Sequence, residues 1–249
     1  MIEKYLVKKI TEPVDWKVTV PGSKSMTNRA LLMAVLSAGT VRVEGVLFSD
    51  DSRHFLACLV ALGFTVEIEE EKKCVTVTGC GGRIPRGEAV IDVGSAGTAA
   101  RFLAAMLGFS DGCYEIRCSA QMKRRPMAEL FDLLSGAGAK ITFLEEEGHL
   151  PVRITGCRYA RADKTAGETP RELSLDITKS TQFLSALLLI APMVPEGMKI
   201  HITSEKTDGS YIRITRKMMQ EFGVSVAFDG RDYEVPCRSS YRKETYMVE

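Results

Sequence analysis

The feature that most restricts how this chain can fold is an internal repeat. Three stretches, ALGFTVEIEEEKKCVTVTG, GAGAKITFLEEEGHLPVRITG and EFGVSVAFDGRDYEVPC, share one order of parts: helix end, glycine, strand, charged turn, strand. Their glycines Gly63, Gly138 and Gly223 lie 75 and 85 residues apart. That period is too long for common solenoid repeats and long enough for a small mixed α/β unit. Upstream in each unit stands a second shared element, KSMTNRALLMAVL, AGTAARFLAAML and KSTQFLSALLLIA, a polar knot leading into a helix apolar on nearly every face. Helices of that kind belong inside a protein. A third set, DDSRHFLACLVALG, RPMAELFDLLSGAG and GSYIRITRKMMQEFG, mixes polar and apolar faces and belongs nearer the surface, with Pro126 suited to a first helical turn. The expected fold is therefore α/β, three pseudo-symmetric units of strand, buried helix, strand, amphipathic helix, strand and strand.

If the units are related by pseudo-symmetry, their buried helices run side by side and their polar starts meet at one end. Around that spot stand Lys24, Ser25, Asn28 and Arg29; Ser95, Gly97, Thr98 and Arg101; and Lys179, Ser180, Thr181 and Gln182. A helix N-terminus carries partial positive charge, so carboxylates are expected in its first turn. In PGSKSMTNRALL there is no acid between Lys24 and Arg29. Side chains, backbone N–H groups and helix dipoles all favour one occupant, a bound anion. The acids Asp50 and Asp51 read as ordinary helix-start residues and are assigned no chemistry.

The anion site must be local, because Lys and Arg number 33 against 32 Asp and Glu. Such a balance gives no field that draws the chain to nucleic acid or anionic lipid. Seven cysteines without a CxxC pair, and three dispersed histidines, His54, His149 and His201, point away from a disulfide framework and from a zinc site. A reducing cytoplasm is the expected setting. MIEKYLVKKI lacks the apolar core of a signal peptide, and FLSALLLIAPMVP is too short and proline-broken to span a bilayer, so no membrane partner is expected.

The motifs PGSKSMTNRALL, SDDSRHFLACLVALG, GSAGTAARFLAAML, MKRRPMAELFDLL, KSTQFLSALLL and YIRITRKMMQEFGV stand in one order and spacing. In them the chain resembles the 5-enolpyruvylshikimate-3-phosphate synthase (3-phosphoshikimate 1-carboxyvinyltransferase) family. The resemblance implies two globular halves, each of three βαβαββ units around buried parallel helices, an inside-out α/β barrel domain. It implies transfer of the carboxyvinyl group of phosphoenolpyruvate to the 5-hydroxyl of shikimate-3-phosphate, in aromatic amino-acid biosynthesis, with no metal or organic cofactor. Lys24 would meet phosphoenolpyruvate near the reacting oxygen, as the catalytic group of this half. Ser25 and Arg29 would hold shikimate-3-phosphate, Arg29 on its carboxylate. Ser180 and Thr181 would receive the shikimate phosphate, Gln182 would lie over the ring, and Tyr211 would close that side. Gly97 would let the phosphoenolpyruvate phosphate approach the backbone and Arg125 would clamp it. Ser95 and Thr98 complete the implied substrate-binding set, with Arg101 supporting the pocket from behind.

Departures from the family pattern are Ser95 in place of Asn, Asp208 in place of Ser, and Thr181 in place of a second Ser. An acid such as Asp208 would repel a phosphorylated substrate, so either it points elsewhere or that wall differs here. The resemblance covers one half. Residues 1–14 are expected to belong with the second, missing domain, 15–240 to form the three-repeat substrate-binding domain, and 241–249 to start the crossover, with both ends poorly anchored. The missing half would supply the acidic residues for proton transfer, so a monomer of this length is expected to turn nothing over. Two rivals remain at this point, a relative acting on UDP-N-acetylglucosamine and a non-catalytic phosphate-binding domain.

Overall fold

The computed structural model describes residues 6–18, 20–157 and 169–249. In chain order the elements are α1 Lys24–Leu36, β1 Thr40–Glu44, α2 Asp50–Ala61, β2 Thr65–Glu69, β3 Cys74–Thr78, β4 Glu88–Asp92, α3 Gly97–Gly108 and β5 Cys113–Arg117. They continue with α4 Ala120–Lys123, α5 Ala128–Gly136, β6 Lys140–Phe143, β7 Val152–Thr155, β8 Arg171–Leu175, α6 Thr181–Ile190, β9 Met198–Ile202, α7 Ser210–Glu221, β10 Ala227–Phe228, β11 Asp232–Val235 and β12 Thr245–Met247.

The repeat is visible at hydrogen-bond level. At the ends of α2, α5 and α7, Gly63, Gly138 and Gly223 take φ of +91°, +98° and +90°, a region that costs glycine nothing. The N–H of the next residue then returns to the last helical turn: Phe64 to the Leu59 carbonyl at 3.1 Å, Ala139 to Leu134 at 3.0 Å and Val224 to Met219 at 2.8 Å. This is one Schellman termination used three times, each turning a helix into the next strand.

Three four-stranded sheets follow, ordered β12-β1-β3-β2, β4-β5-β7-β6 and β8-β9-β11-β10. Each has one parallel pair at its open side, β12/β1, β4/β5 and β8/β9, and antiparallel pairs elsewhere. The sheets wrap the inner helices. All twelve residues of α3 are buried, as are Thr27–Leu36 of α1 and Phe183–Ile190 of α6. The three helices touch one another. Each fully buried Leu or Phe on them contributes about 1.5–3 kcal/mol. Outer helices α2, α5 and α7 bury only one face. The α/β architecture of three repeated units around buried helices is thus the one the sequence predicts. No described helix is long and apolar enough to cross a membrane.

Three details differ from the sequence reading. The strand expected just before α1 does not form: residues 15–18 and 20 carry no strand, and Trp16, Val18 and Val20 are exposed. Its place beside β1 is taken by β12, in parallel register with Arg42 opposite Thr245. The last residues, expected to be loosely held, are built in, since Tyr246 and Val248 are buried and the Ser23 N–H donates to the Glu249 carbonyl at 3.2 Å. Pro126 is not in the first turn of α5; Met127 is the N-cap and the helix starts at Ala128. Of the 1–14 segment, residues 1–5 lie outside the described residues.

Candidate anion-binding site

The starts of α1, α3 and α6 meet. A cavity of about 240 Å³ is lined by Lys24, Ser25 and Arg29 from α1, Gly97 and Thr98 from α3, and Gln182 from α6. Arg125, Tyr211 and Asp51 complete its wall. None of the three inner helices has an acid in its first turn. Ser23 caps α1 by accepting the Met26 N–H at 3.4 Å, and Ser180 caps α6 by accepting the Gln182 N–H at 3.2 Å. The start of α3 has no side-chain cap, leaving its backbone donors for the cavity.

Arg29 is the most unusual group. It is only 1% exposed, and its guanidinium donates to Thr215 Oγ1 at 2.7 Å, the Ser25 carbonyl at 2.9 Å, and Ser185 Oγ and the Tyr211 carbonyl at 3.4 Å each. These acceptors are all neutral. The rings of Phe102 and Tyr211 lie 5.3 and 5.7 Å from its central carbon, adding cation–π attraction. Burial pushes its pKa down to about 10, because the interior solvates the charge less well than water does.

A pair of cationic groups, Arg101 and Arg125, flanks the start of α3. Arg101 donates to the Gly97 carbonyl at 3.0 Å and packs over Phe183. Its pKa is lowered to about 10, first by burial and then by the like charge of Arg125. A side chain at position 97 would meet Arg125 Nη1 at 2.5 Å and Arg101 Nη1 at 2.8 Å, so glycine is what lets both guanidiniums close on the helix start. Two guanidiniums held together without an intervening carboxylate are stabilised when an anion joins them.

The structure therefore brings Lys24, Ser25, Arg29, Gly97, Thr98, Arg125, Gln182 and Tyr211 to one cavity. Arg101 stands behind it. Ser95, half-buried in the turn before α3, Ser180 as N-cap and Thr181, whose methyl faces Gly209, border the cavity without lining it. Asn28 points inward, its amide buried with neither atom partnered. Lys179 turns away to Glu129 at 2.5 Å. Asp208 does point elsewhere: it pairs with Arg213 at 2.9 Å and meets the Tyr233 hydroxyl at 3.3 Å. Burial alone would raise its pKa, but the Gly209 N–H and Arg213 hold it below the ordinary carboxylate value. The group that sequence reasoning missed is Asp51. It lies in the first turn of α2, reads as a helix-start acid, and forms an ion pair with Lys24 at 3.1 Å on the cavity wall.

Fold and cavity define a class: a three-unit α/β domain whose inner helices all start at one shared cationic pocket, the domain type of the enolpyruvyl transferases. A model of the EPSP synthase (3-phosphoshikimate 1-carboxyvinyltransferase) family matches residues 8–249. The chain is 41% identical over 239 residues to the 3-phosphoshikimate 1-carboxyvinyltransferase of Sulfurovum sp. (strain NBC37-1), covering 95% of this chain and 54% of that protein. It is 35% identical over 241 residues to the enzyme of the same name from Trichormus variabilis, covering 96% and 54%. Among solved structures, EPSP synthase from Acinetobacter baumannii superposes with a TM-score of 0.76 at 25% identity, covering 93% of this chain and 49% of that one. The enolpyruvyl transferase NikO from Streptomyces tendae shares the fold, with a TM-score of 0.62 at 14% identity over 96% of this chain and 52% of that one. The chain belongs to the EPSP synthase family, and it spans about half the length of the curated relatives it matches.

Proposed function

We propose that this chain is the shikimate-3-phosphate-binding half of a 3-phosphoshikimate 1-carboxyvinyltransferase. The whole enzyme would move the carboxyvinyl group of phosphoenolpyruvate to the 5-hydroxyl of shikimate-3-phosphate and release phosphate, in the cytoplasm and without a cofactor. The observation that carries this reading is the convergence of three helix starts with Lys24, Arg29 and Arg125 on one cavity, in a member of that family. Arg29 supplies a fixed fork for the shikimate carboxylate, and its neutral buried partners leave its charge for the ligand. Arg125 and the uncapped start of α3 take the phosphoenolpyruvate phosphate, with Arg101 holding Gly97 from behind. Ser180 and Thr181 receive the shikimate phosphate, Gln182 and Tyr211 bound the ring, and Ser25, Ser95 and Thr98 add polar contacts. Lys24 lies nearest the oxygen that reacts.

Transfer needs a group that delivers a proton to the methylene carbon and one that removes a proton from the attacking hydroxyl. We assign that work to a second domain, with which residues 1–14 belong and which closes over the cavity in a monomer. A cavity of about 240 Å³ lies below the roughly 300–1,000 Å³ of complete small-molecule pockets, which is consistent with one wall of a two-domain site.

Titration of the 249-residue chain with shikimate-3-phosphate, followed by amide shifts and calorimetry, tests the reading. Weak saturable binding with shifts at Lys24, Arg29, Gln182 and Tyr211, and no turnover when phosphoenolpyruvate is added, is the expected result. Shifts produced by UDP-N-acetylglucosamine but not by shikimate-3-phosphate would overturn the substrate assignment; product formation by the chain alone would overturn the division of labour.

A further inference from the structure

Among the described residues the cavity is lined by one carboxylate, that of Asp51, and nothing in the proposed chemistry above uses it. Asp51 is firmly placed: Ser49 caps α2 in a reciprocal pair with Ser52, so the first turn that carries Asp51 is fixed at its base. A carboxylate there is also stabilised by the dipole of α2. His54, one turn further on, packs its ring against Gly94, where an added Cβ would fall 2.3 Å from Nε2, so the same helix face abuts the loop leading into α3. Asp51 is thus held from its own helix, whereas Lys24, half-exposed on a long flexible stem, is held at its tip by Asp51 at 3.1 Å.

We propose that Asp51 is an affinity-setting residue of this cavity: it holds the Lys24 ammonium against the wall and competes with an incoming anion for it. The inference rests on the anion-site reading above. An anion entering between Lys24, Arg29 and Arg125 gains three cations but meets one fixed negative charge. It must share the ammonium with Asp51 or draw it away. The carboxylate therefore weakens binding of a bare anion while keeping Lys24 in place between ligands. A partly exposed ion pair of this kind is worth about 0.2–1 kcal/mol, which corresponds to a change of up to about five-fold in affinity.

The test compares the 249-residue protein with Asp51→Asn, Lys24→Met and the double variant, using inorganic phosphate as probe at low ionic strength. Asp51→Asn is expected to bind phosphate about two- to five-fold tighter, with the gain shrinking at high salt and largely absent when Lys24 is already Met. An independent arm measures acylation of Lys24 by a neutral reagent, read by peptide mass spectrometry with no anion present; the rate should rise several-fold in Asp51→Asn. Unchanged or weaker phosphate binding in a folded Asp51→Asn protein overturns the proposal, as does an unchanged acylation rate. Phosphate that binds neither protein overturns it too. The shikimate-3-phosphate titration then decides separately whether the function reading falls with it.

Discussion

Arg29 carries a full positive charge in the interior with only neutral acceptors around it. Such a group is costly to fold and valuable to a ligand. Replacing a buried ion pair by apolar residues of similar volume is often neutral or stabilising by about 1–4 kcal/mol, and among the described residues Arg29 has no carboxylate partner that its loss would leave unpaired. Arg29→Met should therefore keep or raise the denaturation midpoint while abolishing the shikimate-3-phosphate shifts, and urea denaturation beside the ligand titration checks both halves. A fall of several kcal/mol would show instead that the bonds to Thr215, Ser185 and two carbonyls hold the domain together. At this scale the sequence was legible where the residue sat at a helix start, as with Lys24, Arg29 and Gln182. It was silent where partners come from distant elements. Asp51 meets Lys24, Asp208 turns to Arg213 and Lys179 crosses to Glu129, and in each case the local pattern names the charge but not its partner.

The elements repeat more strictly than the residues do. Gly79 follows β3 and Gly156 follows β7; a Cβ on either would fall 2.2 Å from a carbonyl, that of Ser37 or of Ser110, at the end of the buried helix of the same unit. Backbone cannot move aside as a flexible side chain can. Gly79→Ala and Gly156→Ala should each cost about 3 kcal/mol or more, by similar amounts, in urea denaturation. The third unit has Pro236 at this point, so its strand leaves the inner helix differently. Element pairing also has an acid-sensitive link, for the Glu129 carboxyl at the start of α5 is held below its ordinary pKa by Lys179, just before α6. A depressed carboxyl pKa adds stability that is present above the unfolded value near 4.3 and lost as pH falls through the folded value. Glu129→Gln should accordingly flatten the loss of stability between about pH 5 and 3, measured by denaturation at each pH. The helices and their Schellman glycines could be read from periodicity alone. The short α4 could not, since four residues carry no periodic signal, nor could the choice of β12 over residues 15–18 and 20 as partner of β1. DWKVTV alternates as a strand should, but pairing is decided by which segment brings a better apolar face, and Tyr246 and Val248 bring it.

For the molecule as a whole, stability depends on that last strand. Tyr246 lies 5.1 Å from the ring of Phe222, and the buried Tyr241 donates its hydroxyl to the Leu189 carbonyl at 2.8 Å. Removing residues 241–249 would strip both contacts, uncover Phe222 and open the edge of β1. The truncated chain should melt lower and scatter light on warming, and Tyr246→Ala alone should cost about 3–4 kcal/mol in urea denaturation. Because the Ser23 N–H meets the Glu249 carbonyl, the domain is in effect a closed ring of three modules. The chain therefore enters the domain at Ser23 and reaches Glu249 at one corner, side by side. Such a body can be spliced into another domain as a single excursion of the host chain, and it can swing about that corner as one piece without any of its own strands parting.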